Sequence, residues 1–305
     1  MFKGLFSLLL YSLYRLGGAA LPHVPPGLGY HLAEIGGALL YILAPAVRCR
    51  VNDNVSHVLG DKASRHTVRH IVRQTLGNLL KNYYDLFRLP HLTPEKAGQL
   101  TEVKGWENIE ASLNQGKGLI VAAAHLGNIE IVVQIFALHN VPVTVPVERL
   151  EPPRIFDYIC RLRASHGLHL LPVDGPLLEL FRALRRGEVV GLATDRDITG
   201  SGRIVTFFGA PARLPDGHVR LAMRTGAPLL YAFSERLPDN RFVAHVLPPL
   251  NLARTGDREA NVAAGMRKVV SAMERAIARC PAQWYVTNTV WPLTNENGSE
   301  TKTPI

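Results

Sequence analysis

The sequence predicts an α/β protein in which a mixed central sheet is flanked by helices and preceded by an N-terminal helical extension. Six short aliphatic or β-branched stretches occur between residues 118 and 249, and helical patterns separate most of them. Strands that alternate with helices are typical of a sheet with helices on its faces. The length of 305 residues and the hydrophobic share of 47% allow a large core and exclude a disordered chain.

The individual elements follow from local patterns. Apolar residues at helical spacing predict a long basic helix over residues 63–88, which Pro90 ends. Strands are predicted at 118–125, 141–148, 168–174, 189–195, 228–234 and 242–249, with helices over 128–140, 153–166, 176–186, 216–226 and 258–279. Because no linker rich in Gly, Pro or Ser divides residues 100–290, we expect N-terminal apolar helices over 1–60, one α/β domain over 61–294 and a polar tail over 295–305.

Two uncharged apolar stretches lie near the N-terminus, at residues 4–14 and 35–47. Both are shorter than the about 18 to 20 residues that a membrane-spanning helix needs. Lys3 precedes the first stretch and Arg48 and Arg50 follow the second, a pattern typical of helices that lie on an anionic membrane surface. Core helices are the alternative for both stretches, and a secretory signal is a further alternative for the first.

Charge and cysteine content narrow the functional classes. The net charge of +9 indicates a negatively charged partner, such as a phosphate-bearing lipid, nucleic acid or a phosphorylated donor. Aromatic residues make up only 7% and are not interleaved with the Arg clusters, which disfavours nucleic acid. Cys49, Cys160 and Cys280 lie far apart, which excludes a disulfide scaffold and a cysteine-based zinc cluster.

Three predicted strands end in polar side chains, namely His125, Glu148 and Asp195. Ligands of such sheets bind at the carboxyl ends of the strands. His125 lies at a strand-to-helix turn, and Glu130 follows in the first turn of the next helix, so we expect the two side chains to form a hydrogen-bonded dyad. Glu130 would fix the imidazole tautomer while the other ring nitrogen takes a proton from a substrate hydroxyl. A structural histidine is the alternative.

A hydroxyl that His125 has deprotonated can attack a thioester directly. Acyl transfer by this route needs no side-chain nucleophile. The sequence contains no G-x-S-x-G turn for an acyl-serine. Asp195 ends an apolar strand, where an unpaired carboxylate is costly, so we expect Arg163 or Arg196 to pair with it. Arg163 is also a natural clamp for a phosphate or an oxyanion.

The order of several motifs resembles that of the H-x4-D/E lipid acyltransferases, in particular the lipid A late acyltransferases and the phosphatidylinositol mannoside acyltransferases. Residues 60–292 contain, in this order, N-Y-Y-D, V-K-G-W-E-N-I, G-K-G-L-I-V-A-A-A-H-L-G-N-I-E, an R-x-R pair, L-P-V, D-R-D-I-T-G-S-G and F-F-G-A-P. The resemblance implies the glycerolipid acyltransferase fold, with His125 as general base and Glu130 as its partner. It implies substrate-binding or other active-site positions for Asn128, Glu148, Arg163, Asp195, Arg196 and Asp197.

The resemblance also implies a reaction and a location. A fatty acyl group would move from acyl-CoA or acyl carrier protein to a hydroxyl of a membrane glycolipid, at the cytoplasmic face of a bacterial plasma membrane. Neither a metal nor another cofactor is implied. Thr287-Asn288-Thr289 occupy the region where lipid A enzymes commonly carry a His-Arg pair. This difference and the D-R-D motif favour the phosphatidylinositol mannoside branch. The turn at 215–218 departs from the usual form of both groups, so the acceptor sugar stays open.

A phosphohydrolase of the haloacid dehalogenase type is a rival class for this sequence. Asp195-x-Asp197-x-Thr199 after an apolar strand is the pattern of the nucleophile loop in those enzymes, which also need Mg²⁺ and a downstream acidic pair. The sequence after Thr199 contains neither a G-D-x-x-x-D nor a D-D arrangement. Two more classes fit single features of the chain, a metal-dependent glycosyltransferase with a DxD motif and a non-enzymatic basic protein at the membrane surface. A scaffold would leave the spacing of His125 and Glu130 unexplained.

Overall fold

A seven-stranded sheet forms the centre of the protein. The structure is a computed structural model that describes residues 2–175 and 177–291. The strands are β1 (Thr101–Lys104), β2 (Leu119–Ala123), β3 (Val143–Val147), β4 (His169–Pro172), β5 (Val189–Ala193), β6 (Arg203–Phe207), β7 (Ala210–Leu214), β8 (Leu229–Arg236) and β9 (Phe242–Val246). The sheet order is β1-β9-β8-β2-β5-β3-β4, while β6 and β7 form a separate antiparallel hairpin.

Parallel pairing brings the ends of the central strands together. β2 pairs in parallel with both β5 and β8, and β3 pairs in parallel with β5 and β4. The antiparallel pair of β8 and β9 makes the sheet mixed. The predicted α/β fold with a mixed sheet is confirmed, and the carboxyl ends of β2, β5 and β3 meet at one edge.

Helices cover the sheet and precede it. They are α1 (Phe2–Ala20), α2 (Pro26–Leu43), α3 (Pro45–Leu59), α4 (Arg65–Arg88), α5 (Pro94–Leu100), α6 (Trp106–Leu113), α7 (Ile129–Val132), α8 (Gln134–Leu138), α9 (Pro153–Arg163), α10 (Leu178–Arg185), α11 (Gly217–Thr225) and α12 (Arg258–Arg279). Side-chain caps explain two sharp starts: Ser64 accepts the N–H of Thr67 and Asp257 accepts the N–H of Ala260, each at 3.0 Å.

Several elements differ from the sequence-based expectation. The single helix predicted over 128–140 consists of α7 and α8, and the side-chain amide of Gln134 binds the carbonyl of Glu130 at 2.9 Å. Strands β1, β6 and β7 were not predicted, because charged residues interrupt their short apolar patterns. The predicted polar tail at 295–305 lies outside the described residues.

The core lies on both faces of the sheet because side chains alternate along each strand. Ile120 and Ala122 of β2 belong to the larger cluster, which contains the buried face of α12. Leu119 of the same strand faces the opposite cluster, where it lies with Val189 and with Ile109 of α6. A sheet buried on both faces holds its strand ends in fixed positions, so that loops at the carboxyl edge start from a rigid base.

The N-terminal helices have apolar residues on their outer surface. On α2 five of the six exposed large hydrophobic residues follow a helical spacing of three and four, which gives one stripe: Leu28, Leu32, Ile35, Leu39 and Ile42. The opposite side of α2 packs along α4, where Gly37 lies so close that a Cβ atom would come within 2.5 Å of the backbone nitrogen of Gly77. These helices are therefore only partly core helices.

The length and hydropathy of the apolar helices decide whether one of them could span a bilayer. Within the described part of the chain, no single helix has the length and hydropathy to cross a membrane. Helices α2 and α3 meet that measure only as a pair, and the chain bends by 101° between them. Of the three cations that flank the apolar stretches, Arg48 donates to the carbonyl of Tyr41 and Arg50 to that of Thr287.

Candidate active site

The carboxyl edge of the sheet brings His125 and Asp195 together. Ala123 of β2 lies opposite Ala193 of β5, so the residues two positions further along each chain also meet. Nδ1 of His125 lies 2.8 Å from Oδ1 of Asp195, and the backbone N–H of His125 donates to Oδ2 of the same carboxylate at 2.8 Å. Two neighbouring parallel strands thus form the central pair of the site.

The environment of Asp195 fixes the tautomer of the imidazole. Burial alone would raise the pKa of this fully buried carboxyl, but the charge of His125 and the hydrogen bonds from His125 and Trp284 outweigh burial and hold the pKa below its usual value. An ionised carboxylate only accepts hydrogen bonds, so Nδ1 of His125 carries the proton and donates it. Within the described residues Nε2 has no hydrogen-bond partner, and the side chain is 24% exposed.

A segment near the C-terminus forms one wall of this pair. The indole N–H of Trp284 donates to Oδ2 of Asp195 at 2.9 Å. The backbone N–H of Tyr285 donates to the carbonyl of His125 at 3.1 Å, and the two rings meet edge to face with centroids 5.8 Å apart. Burial and the charge of Glu130 raise the pKa of Tyr285, so its phenol is neutral at physiological pH.

The turn after His125 is held tightly against β8. Gly127 adopts a φ of +68°, and a Cβ atom there would lie 2.3 Å from the carbonyl oxygen of Ser234. The hydroxyl of Ser234 accepts the N–H of Asn128 at 2.8 Å and donates to the carbonyl of Leu126 at 2.9 Å. Asn128 then caps α7, because its side-chain oxygen accepts the N–H of Ile131.

The predicted dyad of His125 and Glu130 is wrong, because each of these side chains binds a different partner. Glu130 pairs with Arg163 at the end of α9, with Nε 2.8 Å from Oε1. Asp195 holds Nδ1 of His125, the position expected for Glu130. The reason is that β5 lies directly beside β2, whereas the start of α7 directs Glu130 toward α9.

The predicted ion pairs of Asp195 with Arg163 or Arg196 are also wrong. Arg163 binds Glu130, and Nη2 of Arg196 donates to Glu148 at 3.0 Å. Glu148 follows β3, the strand beside β5, so this second pair spans two neighbouring strand ends. Both pairs are partly exposed, and their charges lie at the surface of the carboxyl edge.

Asp197 has a local structural role. Its Oδ2 accepts the backbone N–H of Gly202 at 2.7 Å, and Oδ1 accepts the hydroxyl of Thr199 at 3.1 Å. The carboxylate therefore closes the loop between β5 and β6. Because Asp195 is buried against His125 and Trp284 while Asp197 closes a loop, the pair does not form the paired carboxylates of a haloacid dehalogenase loop.

Asn128 belongs to a buried network beneath the turn. Its side-chain amide donates to Oδ2 of Asp85 at 2.7 Å, and Arg236 donates to the same oxygen at 2.7 Å. The hydroxyl of Tyr30 on α2 donates to Oδ1 at 2.8 Å, and Asn82 binds both Arg236 and the carbonyl of Gly127. Since Asn128 is fully buried, the structure places it in the framework of the turn rather than at a substrate surface.

Sequence reasoning missed the roles of Trp284, Tyr285, Asp85 and Arg236. The segments P-A-Q-W-Y and N-Y-Y-D are both visible in the sequence. Their contacts with the turn at His125 are not visible there, because the partners are separated by 43 or more residues.

Comparisons with known proteins extend this picture. A sequence model of the family described as bacterial lipid A biosynthesis acyltransferase matches residues 2–291. A phosphatidylinositol mannoside acyltransferase of Mycobacterium tuberculosis is 33% identical over 215 residues, which are 68% of this chain and 66% of the relative. That of Mycolicibacterium smegmatis is 28% identical over 242 residues, covering 78% of this chain and 77% of the relative.

Two further matches are more distant. The lipid A biosynthesis lauroyltransferase of Escherichia coli is 27% identical over 190 residues, which are 60% of this chain and 59% of the relative. Among solved structures, the 1-acyl-sn-glycerophosphate acyltransferase of Thermotoga maritima aligns with a TM-score of 0.38 and 17% identity, over 84% of this chain and 97% of that chain.

The fold and site define an α/β protein with a carboxylate-held histidine at the carboxyl edge of its sheet. The chain belongs to the bacterial lipid A biosynthesis acyltransferase family. The predicted membership of an acyltransferase family is therefore confirmed. The chain spans 66% of the length of the Mycobacterium tuberculosis relative that it matches.

Proposed function

We propose that this protein transfers a fatty acyl group from a thioester donor to a hydroxyl of a membrane glycolipid. The observation that carries the proposal is the pair of His125 and Asp195, in a chain that matches an acyltransferase family over residues 2–291. Nδ1 of the imidazole binds a buried carboxylate, and the ring is partly exposed. This is the arrangement that a general base for an acceptor hydroxyl requires.

The reaction proceeds by direct attack of the acceptor on the thioester. Nε2 of His125 takes the proton of the acceptor hydroxyl, and the oxygen forms a bond to the thioester carbonyl carbon. The tetrahedral intermediate carries its negative charge on the former carbonyl oxygen and collapses by breaking the carbon–sulfur bond. The proton held by His125 then passes to the departing thiolate. Asp195 stabilises the imidazolium in between, and Nδ1–H keeps the ring oriented.

Four of the other predicted site residues form two ion pairs that supply charge around this centre. Arg163 is held by Glu130 near Tyr285, and Arg196 is held by Glu148 at the neighbouring strand end. In this proposal Arg163 stabilises the oxyanion, and Arg196 with the other surface cations binds phosphate groups of the donor or acceptor. Glu130 and Glu148 keep the guanidinium groups in place.

The acceptor that we propose is of the phosphatidylinositol mannoside type, with a lipid A type acceptor as the alternative. The relatives at 33% and 28% identity carry the former name, and the relative at 27% identity carries the latter. The D-R-D motif and Thr287-Asn288-Thr289 also favour the first type. The donor is acyl-CoA or an acyl carrier protein, and the proposed reaction uses no metal.

An assay with both donors tests the reaction. Purified protein receives labelled acyl-CoA or labelled acyl carrier protein with a panel of glycolipid acceptors, with and without chelator, and products are identified by mass spectrometry. The expected result is chelator-resistant label on a glycolipid. His125→Ala should reduce this transfer by about 10² to 10⁴ because it removes the general base.

A matched histidine serves as the control for that variant. His169 of β4 is exposed and lies outside the site described above, so His169→Ala should transfer at the wild-type rate. Near-normal transfer by His125→Ala would exclude His125 as the base. Absence of any acyl product together with phosphate release in Mg²⁺ would support the phosphohydrolase alternative.

We further propose that α1 and α2 attach the protein to the cytoplasmic surface of a plasma membrane. The support is the outward apolar stripe of α2, together with Leu9, Leu13 and Leu16 of α1, which are 63% to 68% exposed. Apolar helix faces of this kind bury themselves at the lipid boundary, and the positive net charge favours anionic lipid.

Vesicle flotation tests this attachment without removing helices that the fold needs. Truncation would remove Tyr30 and its buried contact with Asp85, so substitution on the outer stripe is the cleaner change. Leu32→Glu combined with Leu39→Glu should abolish flotation with anionic vesicles. Ile204→Glu on β6, at a similar exposure of 54%, should float as wild type does. Flotation of the double variant would place the attachment elsewhere.

A further inference from the structure

We propose that Trp284 is a positioning residue for acyl transfer, because its indole N–H fixes the carboxylate that orients His125. The inference rests on the proposed function. The indole N–H of Trp284 binds Asp195 rather than the ring of His125, so Trp284 acts on the imidazole through the carboxylate. The carboxylate would be free to turn about its side-chain bond if only Nδ1 of the imidazole held it.

The hydrogen bonds on Asp195 divide between its two oxygens. Among residues 2–175 and 177–291, Oδ1 is hydrogen-bonded only to Nδ1 of His125, whereas Oδ2 accepts both the backbone N–H of His125 and the indole N–H of Trp284. Two donors on Oδ2 hold the plane of the carboxylate, so that Oδ1 stays directed at the imidazole. The indole is the only one of these donors that belongs to another part of the chain.

The indole itself is firmly held. Trp284 is 2% exposed, and its ring meets Phe207 and Trp291 edge to face, with centroids 6.0 and 6.1 Å away. Its backbone pairs with Leu126 in an isolated β-bridge, and the N–H of Gly127 donates to the carbonyl of Gln283 at 3.1 Å. The segment that carries the indole is thus joined to the turn that carries His125.

Loss of the indole N–H has two expected consequences. The carboxylate becomes less restrained, so the imidazole is less well oriented and the rate of the chemical step falls. The negative charge of Asp195 is also shared among fewer donors, which favours the imidazolium over the neutral imidazole. Because only the neutral imidazole accepts a proton, the acid limb of the rate profile moves to higher pH.

Other ionisable groups also lie near this pair. Tyr231 of β8 faces Asp195 with a fully buried hydroxyl, and burial followed by the charge of Asp195 raises its pKa. Tyr285 lies against His125, with the ion pair of Glu130 and Arg163 beyond it. Among the described residues, the hydroxyl of Tyr231 has no hydrogen-bond partner, and none of these groups is hydrogen-bonded to the indole N–H of Trp284.

Trp284→Phe and the control Trp291→Phe form a matched pair. Trp291 is 3% exposed, and its indole donates to the carbonyl of Phe207 at 3.2 Å rather than to Asp195. We expect Trp284→Phe to lower kcat about tenfold or more, since a hydrogen bond to a charged group is lost, and to move the acid limb of kcat/KM to higher pH. Trp291→Phe should leave the acid limb unchanged even if it lowers thermal stability.

A second replacement separates the hydrogen bond from the packing. Benzothienylalanine at position 284 has the shape of tryptophan with sulfur in place of the N–H, so it tests the donor even if Trp284→Phe does not fold. The pH midpoint of His125 ring protonation, followed by ¹⁵N NMR, gives a readout independent of acyl transfer. A wild-type protein that transfers no acyl group would contradict the proposed function alone. An acid limb and ring titration that stay at the wild-type position after loss of the N–H would overturn the role of Trp284.

Discussion

Asp195 and Asp85 are both buried aspartates beside the same turn, yet their charged partners differ. Asp195 is bound by His125, whose side chain is 24% exposed. Asp85 is bound by Arg236, which is 4% exposed, and by the buried residues Asn128 and Tyr30, and Nη1 of Arg88 lies 3.7 Å from its Oδ1. The chemistry of the charged partner therefore separates the two sites, because an imidazole can exchange a proton near neutral pH whereas a guanidinium stays protonated. In the proposed reaction one carboxylate supports the general base, and the other joins parts of the fold.

The largest difference between the two positions should appear in the reaction rate. Asp195→Asn keeps the size of the side chain but removes the charge that stabilises the imidazolium, so we expect kcat/KM to fall by about 10² to 10⁴. Asp174→Asn, at an exposed aspartate that pairs with Arg149, is the control and should be neutral. Measurement of acyl transfer under subsaturating donor gives the comparison, and a loss below about fivefold would contradict the role of Asp195.

Asp85→Asn should have its largest effect on stability. The substitution leaves the guanidinium of Arg236 buried without its counter-charge, so we expect the free energy of unfolding to fall by about 3 to 5 kcal/mol. Urea denaturation measures this loss.

The double variant Asp85→Asn with Arg236→Met sharpens the comparison. It removes both charges and should recover part of the stability. If Asp85→Asn instead lowered the free energy of unfolding by less than about 1 kcal/mol, the pair would not hold the turn to α4.

The smallest effect concerns stability in acid. Because the pKa of Asp195 is lower in the folded protein than its usual value, its stabilising contribution is present above the unfolded pKa of about 3.9 and is lost as the pH falls through the folded value. The difference in free energy of unfolding between wild type and Asp195→Asn should therefore shrink below about pH 4. Urea titrations from pH 6 downward measure it, and a constant difference would mean that the folded pKa is not lowered.

Local patterns predicted much of the fold. The last helix begins and ends at the predicted residues, 258 and 279, because its apolar spacing is regular and Asp257 caps it. The strands around His125 and Asp195 were predicted because each is a short uninterrupted apolar run. Strands β1 and β6 were missed, since strands with few buried residues carry a weak apolar signal.

The candidate site was only partly predictable. The ends of the apolar strands indicated His125, Glu148 and Asp195 because ligands of open α/β sheets bind at the carboxyl ends of the strands. The partners of His125 and Asp195 were predicted wrongly. Glu130 is close to His125 in sequence, but hydrogen bonding follows distance in space, and Asp195 lies 70 residues away along the chain.

The sequence by itself determined the alternation of strands and helices, the histidine at a strand end and the apolar N-terminal segments, because each depends on neighbouring residues. Only the tertiary structure decided that β5 lies beside β2, that Glu130 binds Arg163, and that Trp284 binds Asp195. The physical reason is that strand order and the return of the C-terminal segment come from burying both faces of the sheet together. No local pattern records which distant residues then share an edge.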